Sequence, residues 1–165
     1  MTPASAESWV ETMMSSLKCY CASLGVDESS VPRIALIMKS KWHAILAAQR
    51  HTNKLVEAQR GAEQLFTLAE QFTLAYRNHP YAYVLVAEAC IQKEKNAFRE
   101  DNPPATVLWA KKALDAANKA ATFDPEDKMI RGFVAYCRQR LIKFERPDNN
   151  AAATKDRTPV NKDAA

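Results

Sequence analysis

The amino-acid sequence predicts an all-α protein built from repeated helix pairs, and three observations lead to this fold class. The 165 residues include only three glycines, and no run of alternating β-branched residues is long enough to build a sheet. Apolar residues recur at intervals of three and four, which is the spacing of one helix face. A short pattern, residue-x3-residue-x2-Ala-x4-Pro, occurs twice with its prolines 45 positions apart. A chain of this length can bury the core of one domain.

The first predicted helix covers residues 5–24. Gly25 favours the left-handed conformation that commonly ends a helix. Because stacked repeats need their terminal faces covered, we expect this helix to cap the repeat-like region that follows, residues 32–145. Its apolar face contains Met13, Met14 and Leu17.

The second and third helices are predicted on either side of a turn whose position stays open. Pro32 suits the first turn of the second helix. That helix ends between residues 51 and 61, where weak helix formers and the Arg60-Gly61 pair offer two alternative turns. The third helix ends at Asn78-His79-Pro80, because a proline pushes the residue before it out of the α region.

Three more helices follow from similar signals. The fourth covers residues 81–99, and residues 101–104 form the clearest break in the chain. Pro103 or Pro104 starts the fifth helix, which runs to about Phe123 and has small residues on two faces, as suits a helix packed between two neighbours. The sixth covers about 127–145. The fourth helix has one apolar line, formed by Val84, Ala87, Ile91 and Phe98.

The two copies of the repeated pattern resemble the second helix of the tetratricopeptide unit, Ala-x3-aromatic-x2-Ala-x4-Pro in a 34-residue repeat. The copies depart from that unit in their 45-residue spacing, in Leu68 for the usual alanine and in Ala117 for the usual aromatic. The resemblance covers roughly residues 32–144 and implies two degenerate helix-pair repeats and a closing helix. The copies are Leu68, Phe72, Ala75, Pro80 and Ala113, Ala117, Ala120, Pro125. The first helices of the unit are matched loosely by Tyr83-x2-Val86-Ala87-x2-Cys90 and Ile130-x2-Phe133-Val134-x2-Cys137.

A helical repeat without a recognisable catalytic set of residues indicates binding. We therefore predict a non-enzymatic protein–protein interaction module, an adaptor or assembly subunit, that holds a partner segment in the groove of its first helices. The best-known site of the family is a clamp of Lys and Asn side chains that holds a carboxylate. Carried over by register, the clamp falls on five positions of this chain. Because only Lys128 has suitable chemistry, this clamp is not expected. Those positions are His43, Ala47, Val84, Glu88 and Lys128. The groove residues expected from register are Trp42, Gln49, Tyr83 and Glu88.

The last helix is strongly basic, in a chain whose net charge is +4. One interpretation is a solvated face whose C-terminal bases favour the helix dipole. The other is a contact surface for RNA phosphates or for an acidic protein. An RNA-associated structural subunit of a ribonucleoprotein is therefore the alternative function. The basic residues are Lys128, Arg131, Arg138, Arg140 and Lys143.

The cysteines and the composition predict the cellular compartment of the protein. Cys19, Cys21, Cys90 and Cys137 indicate reduced thiols of an intracellular, most simply cytoplasmic protein, with organelles and the nucleus left open. Cys19 and Cys21 point about 200° apart on a helix, so one buried and one exposed thiol are expected, without a metal or a cofactor. No segment approaches the roughly 20 apolar residues of a membrane span, so no membrane insertion is expected. The polar residues 147–165 predict a disordered tail after a domain formed by residues 1–146.

Overall fold

The computed structural model describes residues 3–146, with side chains from Ser8 onward. This part of the chain is all-α, as predicted: it forms six α-helices and one short 3₁₀ turn, and no strand. The predicted tail, residues 147–165, lies outside the described residues. The helices are α1 Pro3–Ser23, α2 Val31–His51, α3 Leu55–Ala75, α4 Pro80–Arg99, α5 Pro103–Phe123 and α6 Lys128–Glu145, and the 3₁₀ turn covers Glu28–Ser30.

Prolines and polar caps start the later helices where the sequence predicts. Pro80 and Pro103 are the first residues of α4 and α5, the position where a missing N–H costs nothing. His79 caps α4 by accepting the backbone N–H of Tyr81 at 3.3 Å. Asp127 caps α6 by accepting two backbone N–H bonds at 2.8 and 3.1 Å. These boundaries follow from local chemistry.

The turn between α2 and α3 occupies residues 52–54, the first of the two predicted alternatives. Asn53 takes a φ of +59° there, a left-handed conformation that asparagine tolerates better than most residues. Gly61 lies inside α3, where a Cβ atom would overlap Cδ2 of Leu46 on α2. The glycine therefore permits a close approach of two helices, and it does not form a turn.

Successive helices pack as pairs that stack on one another. α2 packs against α3 and α4 against α5, and α4 also packs against both members of the first pair. α6 closes the array against α5, while α1 packs against α2 and α3. The connecting turns are short, which makes consecutive helices antiparallel.

Two hydrophobic clusters meet at α4 and form the core. One joins α1, α2, α3 and α4 with Ala120 and Ile130, and the other joins α4, α5 and α6. The predicted apolar line of α4 is wrong at Phe98, which is 64% exposed. Its ring contacts Phe144 at the end of α6 instead of the core, with ring centroids 5.8 Å apart. The small faces of α5 are confirmed by the burial of Ala110, Ala113, Ala116, Ala117 and Ala120.

Candidate functional site

A polar face runs across α2, α4 and α6, and a buried carboxylate lies at one end of it. Glu88 on α4 is buried and forms an ion pair with Lys39 of α2. Nδ1 of His43, one turn further along α2, lies 3.9 Å from the same carboxylate. Nε2 of His43 is buried and has no hydrogen-bond partner among the described residues.

Neutral amides continue the polar face toward the end of α2. Arg50 is buried and donates hydrogen bonds to Oε1 of Gln92 at 3.0 Å and to Oδ1 of Asn96 at 3.2 Å. The side-chain amide of Asn96 in turn donates to the backbone carbonyl of Ala58 at 3.1 Å. These bonds tie α2, α3 and α4 together, since buried polar groups are costly when they are left unpaired.

A second buried carboxylate connects α4 to α6. Arg140 donates two hydrogen bonds to Glu94, each 2.6 Å long, in a bidentate arrangement. Nη1 of Arg140 also donates a hydrogen bond to the hydroxyl oxygen of Tyr136, 3.1 Å away. Planar bidentate pairs of this kind fix the orientation of the arginine as well as its charge.

Positive charge exceeds negative charge on this face. Four cations, from Lys39, Arg50, Lys95 and Arg140, accompany the two carboxylates of Glu88 and Glu94. The pKa of His43 falls to about 4 through burial and through the neighbouring Lys39, Lys95 and Arg50. Burial, followed by Arg140 and Arg50, also lowers the pKa of Lys95. His43 is therefore neutral at pH 7, and its approach to Glu88 is not an ion pair.

An apolar cleft lies next to the polar face, between α1, α2 and α3, and Lys39 belongs to both. Its volume is about 380 Å³. Trp9 of α1 and Trp42 of α2 meet there edge to face, with ring centroids 5.1 Å apart. Met38, at the cleft, is 49% exposed, and Ile45 is 57% exposed. The apolar lining consists of Trp9, Met13, Leu17, Ala35, Met38, Trp42, Ile45, Leu65, Leu68 and Leu85, and the polar lining consists of Lys39, Lys41 and Gln64.

The four residues predicted to line one groove have different surroundings. Trp42 lies in the cleft and Glu88 belongs to the polar face. Gln49 is half-buried beside Gly61 of α3. Tyr83 packs on Phe123 of α5, with ring centroids 5.3 Å apart. Trp42 and Gln49 also line a common pocket between α2 and α3. Contact of the four residues with a partner stays a prediction.

The predicted basic residues of α6 also fall on two sides of that helix. Lys128, Arg131 and Arg138 are exposed. Helical geometry turns Arg138 about 200° away from Arg140, which is half-buried against Glu94. Lys143, three residues after Arg140, shares its side of the helix, with Nζ 5.8 Å from the ring of Phe144. The sequence did not reveal this division, because it depends on which side of α6 meets α4 and α5.

Cysteine burial agrees with the sequence-based prediction. Cys19 is exposed, whereas Cys21, Cys90 and Cys137 are buried, and all four are free thiols. Burial raises the pKa of Cys90 and of Cys137 to about 12, which disfavours the reactive thiolate. Among the side chains described, no group of three His, Cys, Asp or Glu residues is placed to hold a metal ion. No helix within residues 3–146 is long and apolar enough to cross a membrane.

Comparison with known proteins assigns the chain to no family. No protein-family model, curated protein or solved structure matches the chain. The resemblance to the tetratricopeptide family therefore stays a prediction, and the apolar cleft and the polar face are the features on which a function can be argued.

Proposed function

We propose that this chain is a protein-interaction module, an adaptor or assembly subunit, that binds an amphipathic helix of a partner protein in the cleft between α1, α2 and α3. The cleft is the observation that carries the proposal. Its volume of about 380 Å³ falls within the roughly 300–1,000 Å³ of typical ligand sites, which have apolar and aromatic walls and few polar groups.

The walls suit the apolar face of a helix. Amphipathic helices bind by placing side chains three and four residues apart into a hydrophobic groove. Met13 and Met38 line this cleft, and methionine adapts its shape to different partner side chains. The exposed side chains of Met38 and Ile45 at the cleft would be covered by such a partner, and apolar patches of this kind mark interaction sites.

The charge at the cleft specifies the partner further. Lys39 and Lys41 are the charged residues in its lining. Lys39 already pairs with Glu88 of α4, so Lys41 supplies the charge that a partner would meet. Acidic side chains beside the apolar anchors of the partner helix would complement this charge and speed association. The partner segment is thus an amphipathic helix with carboxylates flanking its apolar face.

The experiment compares two substitutions on the same helix. Met38→Glu places a charge at the cleft, while Ile37→Glu places the same charge at a neighbouring residue that is 70% exposed and outside the cleft lining. Each variant of the tagged full chain is purified from the cells that produce it, and bound proteins are quantified by mass spectrometry. The complex is then rebuilt from purified proteins and its Kd measured. We expect Met38→Glu to raise Kd at least about tenfold, and Ile37→Glu to leave it unchanged.

Two results would contradict the proposal in different ways. A stoichiometric partner that both variants hold equally would place the interface elsewhere on the molecule. The absence of any stoichiometric protein partner would remove the function itself. A Trp109→Phe variant provides a direct readout, since Trp9 and Trp42, the remaining tryptophans, both line the cleft and their fluorescence should change on binding.

A further inference from the structure

Three cations occupy the same position on the three helices of the polar face. Arg50 of α2, Lys95 of α4 and Arg140 of α6 are each 45 residues apart, which is the spacing of the two copies of the repeated pattern. Because α2, α4 and α6 alternate with antiparallel partners, they run parallel to one another. The hydrogen bonds from Arg50 to Asn96 and from Arg140 to Glu94 both join residues 46 positions apart, in keeping with this register. We call Arg50, Lys95 and Arg140 the cationic row.

Lys95, in the middle of the row, has no hydrogen-bond or ion-pair partner among the described residues, although its side chain is half-buried. The pKa of Lys95 is lowered by burial and then by Arg140 and Arg50. Glu94 and Glu88 act in the opposite direction and offset these effects only in part. A half-buried cation between two others is unfavourable in the free protein, and its ammonium group offers three N–H donors to an anion.

The carboxylates of the polar face are already engaged. Glu94 accepts both hydrogen bonds of the bidentate pair with Arg140, and Glu88 forms the ion pair with α2 described above. Arg50 is buried and donates to two neutral side-chain amides of α4. Two positive charges of the row, those of Arg50 and Lys95, therefore have no carboxylate of their own among the residues described.

The acids near the end of α4 do not neutralise Lys95. Glu100 bonds to Gln59 of α3. Asp101 lies in the turn after α4, on the order of 9 Å from Lys95 along the helix axis. Arg99, one helical turn after Lys95, adds another exposed cation. The surroundings of Lys95 therefore stay positive.

We propose that the cationic row binds a phosphoryl group, with Lys95 as the residue that contacts it. A phosphate monoester carries close to two negative charges at pH 7, which matches the two positive charges without a carboxylate, whereas a carboxylate would neutralise only one. Arg50 and Arg140 are held by their hydrogen bonds, so they supply charge without reorganising. Basic clusters are a recurrent means of recognising phosphorylated segments. The inference does not depend on the cleft between α1, α2 and α3.

The test titrates the full chain with inorganic phosphate in a calorimeter, at constant ionic strength with chloride as the balancing anion. Lys95→Gln should raise Kd on the order of tenfold or more, because a charge-assisted hydrogen bond is lost. Lys95→Arg keeps the charge and the donors and should retain binding. Lys128→Gln is the matched control. It removes a lysine from an exposed position of α6, on the order of 18 Å along the helix from Arg140, and should leave Kd unchanged.

Thermal melting separates loss of the site from loss of the fold. Phosphate should raise the thermal midpoint of the unmodified chain, since a ligand bound by the folded state alone stabilises that state. In chloride alone, the midpoint of Lys95→Gln should be no lower than that of the unmodified chain, because the variant removes a half-buried cation without a partner. The same variant should lose the rise that phosphate produces.

Two capped tripeptides, Ala-phosphoserine-Ala and Ala-Glu-Ala, distinguish the sources of the anion. Both are titrated against the unmodified chain under the same conditions as inorganic phosphate. Tighter binding of the phosphoserine peptide than of inorganic phosphate would identify a phosphorylated protein segment as the source. The reverse order would identify a small phosphate-bearing molecule. Either order agrees with a phosphoryl site.

Three outcomes would overturn the proposal. The first is phosphate that produces no more binding heat or stabilisation than chloride at the same ionic strength. The second is equal affinity of Lys95→Gln and the unmodified chain for phosphate. The third is a glutamate peptide that binds as tightly as the phosphoserine peptide, which would identify the row as a carboxylate site instead.

Discussion

At the scale of single residues, Gly61 has a role that depends on its neighbour on another helix. A Cβ atom at this position would overlap the buried side chain of Leu46, whereas a Cβ at Gly132 of α6 has nothing within 4 Å. The two glycines are therefore a matched pair, since both lie inside helices and only one faces a close contact.

We predict that Gly61→Ala destabilises the protein and that Gly132→Ala stabilises it. Alanine favours a helix over glycine by about 1 kcal/mol, so Gly132→Ala should raise the free energy of unfolding by roughly 0.5–1 kcal/mol. At Gly61 the overlap costs about 1–3 kcal/mol and exceeds that gain. Urea unfolding measures both. Equal stabilisation by the two substitutions would show that α2 and α3 do not approach closely here.

His43 is the residue whose titration should affect stability most clearly. Its pKa of about 4 compares with roughly 6.5 in an unfolded chain. Between these values the unfolded state binds more protons than the folded state, so stability falls as pH falls from 6.5 to 4. The groups facing His43 are Lys39 and Arg50 from α2 and Glu88 and Lys95 from α4.

We expect acidification from pH 7 to pH 4 to cost on the order of 2–3 kcal/mol through His43. His43→Gln, which cannot gain a proton, should remove that part of the pH dependence in urea unfolding. His79, whose pKa is also lowered by burial, contributes with the same sign and should leave a residual slope. His51→Gln, at an exposed histidine, is the matched control. Parallel pH profiles for His43→Gln and the unmodified chain would contradict the assignment.

At the scale of helices, α4 combines central position with polar composition. It is packed by α2, α3 and α5, yet Glu88, Gln92, Glu94 and Asn96 are all buried in it. Each of these side chains has a partner on α2 or α6, as buried polar groups require. The polar network makes α4 specific for its neighbours, because any other arrangement would leave these groups unpaired.

The terminal helix α1 provides the prediction that belongs to this scale. Val10, Leu17 and Cys21 of α1 are buried against the first helix pair. Deleting residues 1–24 should therefore lower the free energy of unfolding by a few kcal/mol, on the order of two or three large side chains exposed. Deleting residues 147–165, whose polar composition offers little to bury, should leave the thermal midpoint nearly unchanged. A melting experiment showing the opposite order would mean that the tail belongs to the domain.

At the scale of the whole molecule, α2 contributes to two adjacent surfaces of different chemistry. Trp42 and Ile45 line the apolar cleft, while Arg50 bonds to Gln92 and Asn96 of α4 in the polar face. Lys39 lines the cleft and pairs with Glu88 of the polar face. Substitutions at Lys39 and at the cleft should therefore show coupled effects, because sites that share a partner are not additive.

Local signals in the sequence were enough to establish the fold class and most helix boundaries. Pro80, Pro103 and Asp127 act on the backbone within one or two turns, so their effect is readable without knowing what packs nearby. The small faces of α5 were equally readable, because alanines at helical spacing permit close packing against any neighbour.

Which helix faces meet was settled by tertiary packing alone. Phe98 was predicted on the apolar line of α4 and is exposed. Nothing in the sequence indicated that Glu94 would be buried against Arg140. The Arg60-Gly61 pair was one of two alternative turns, but Gly61 lies inside α3 and faces Leu46 of α2. The physical reason is that partners of these residues lie on other helices, up to 46 positions away for Glu94 and Arg140. Periodicity describes each helix alone, whereas burial depends on the side chains that neighbouring helices bring to it.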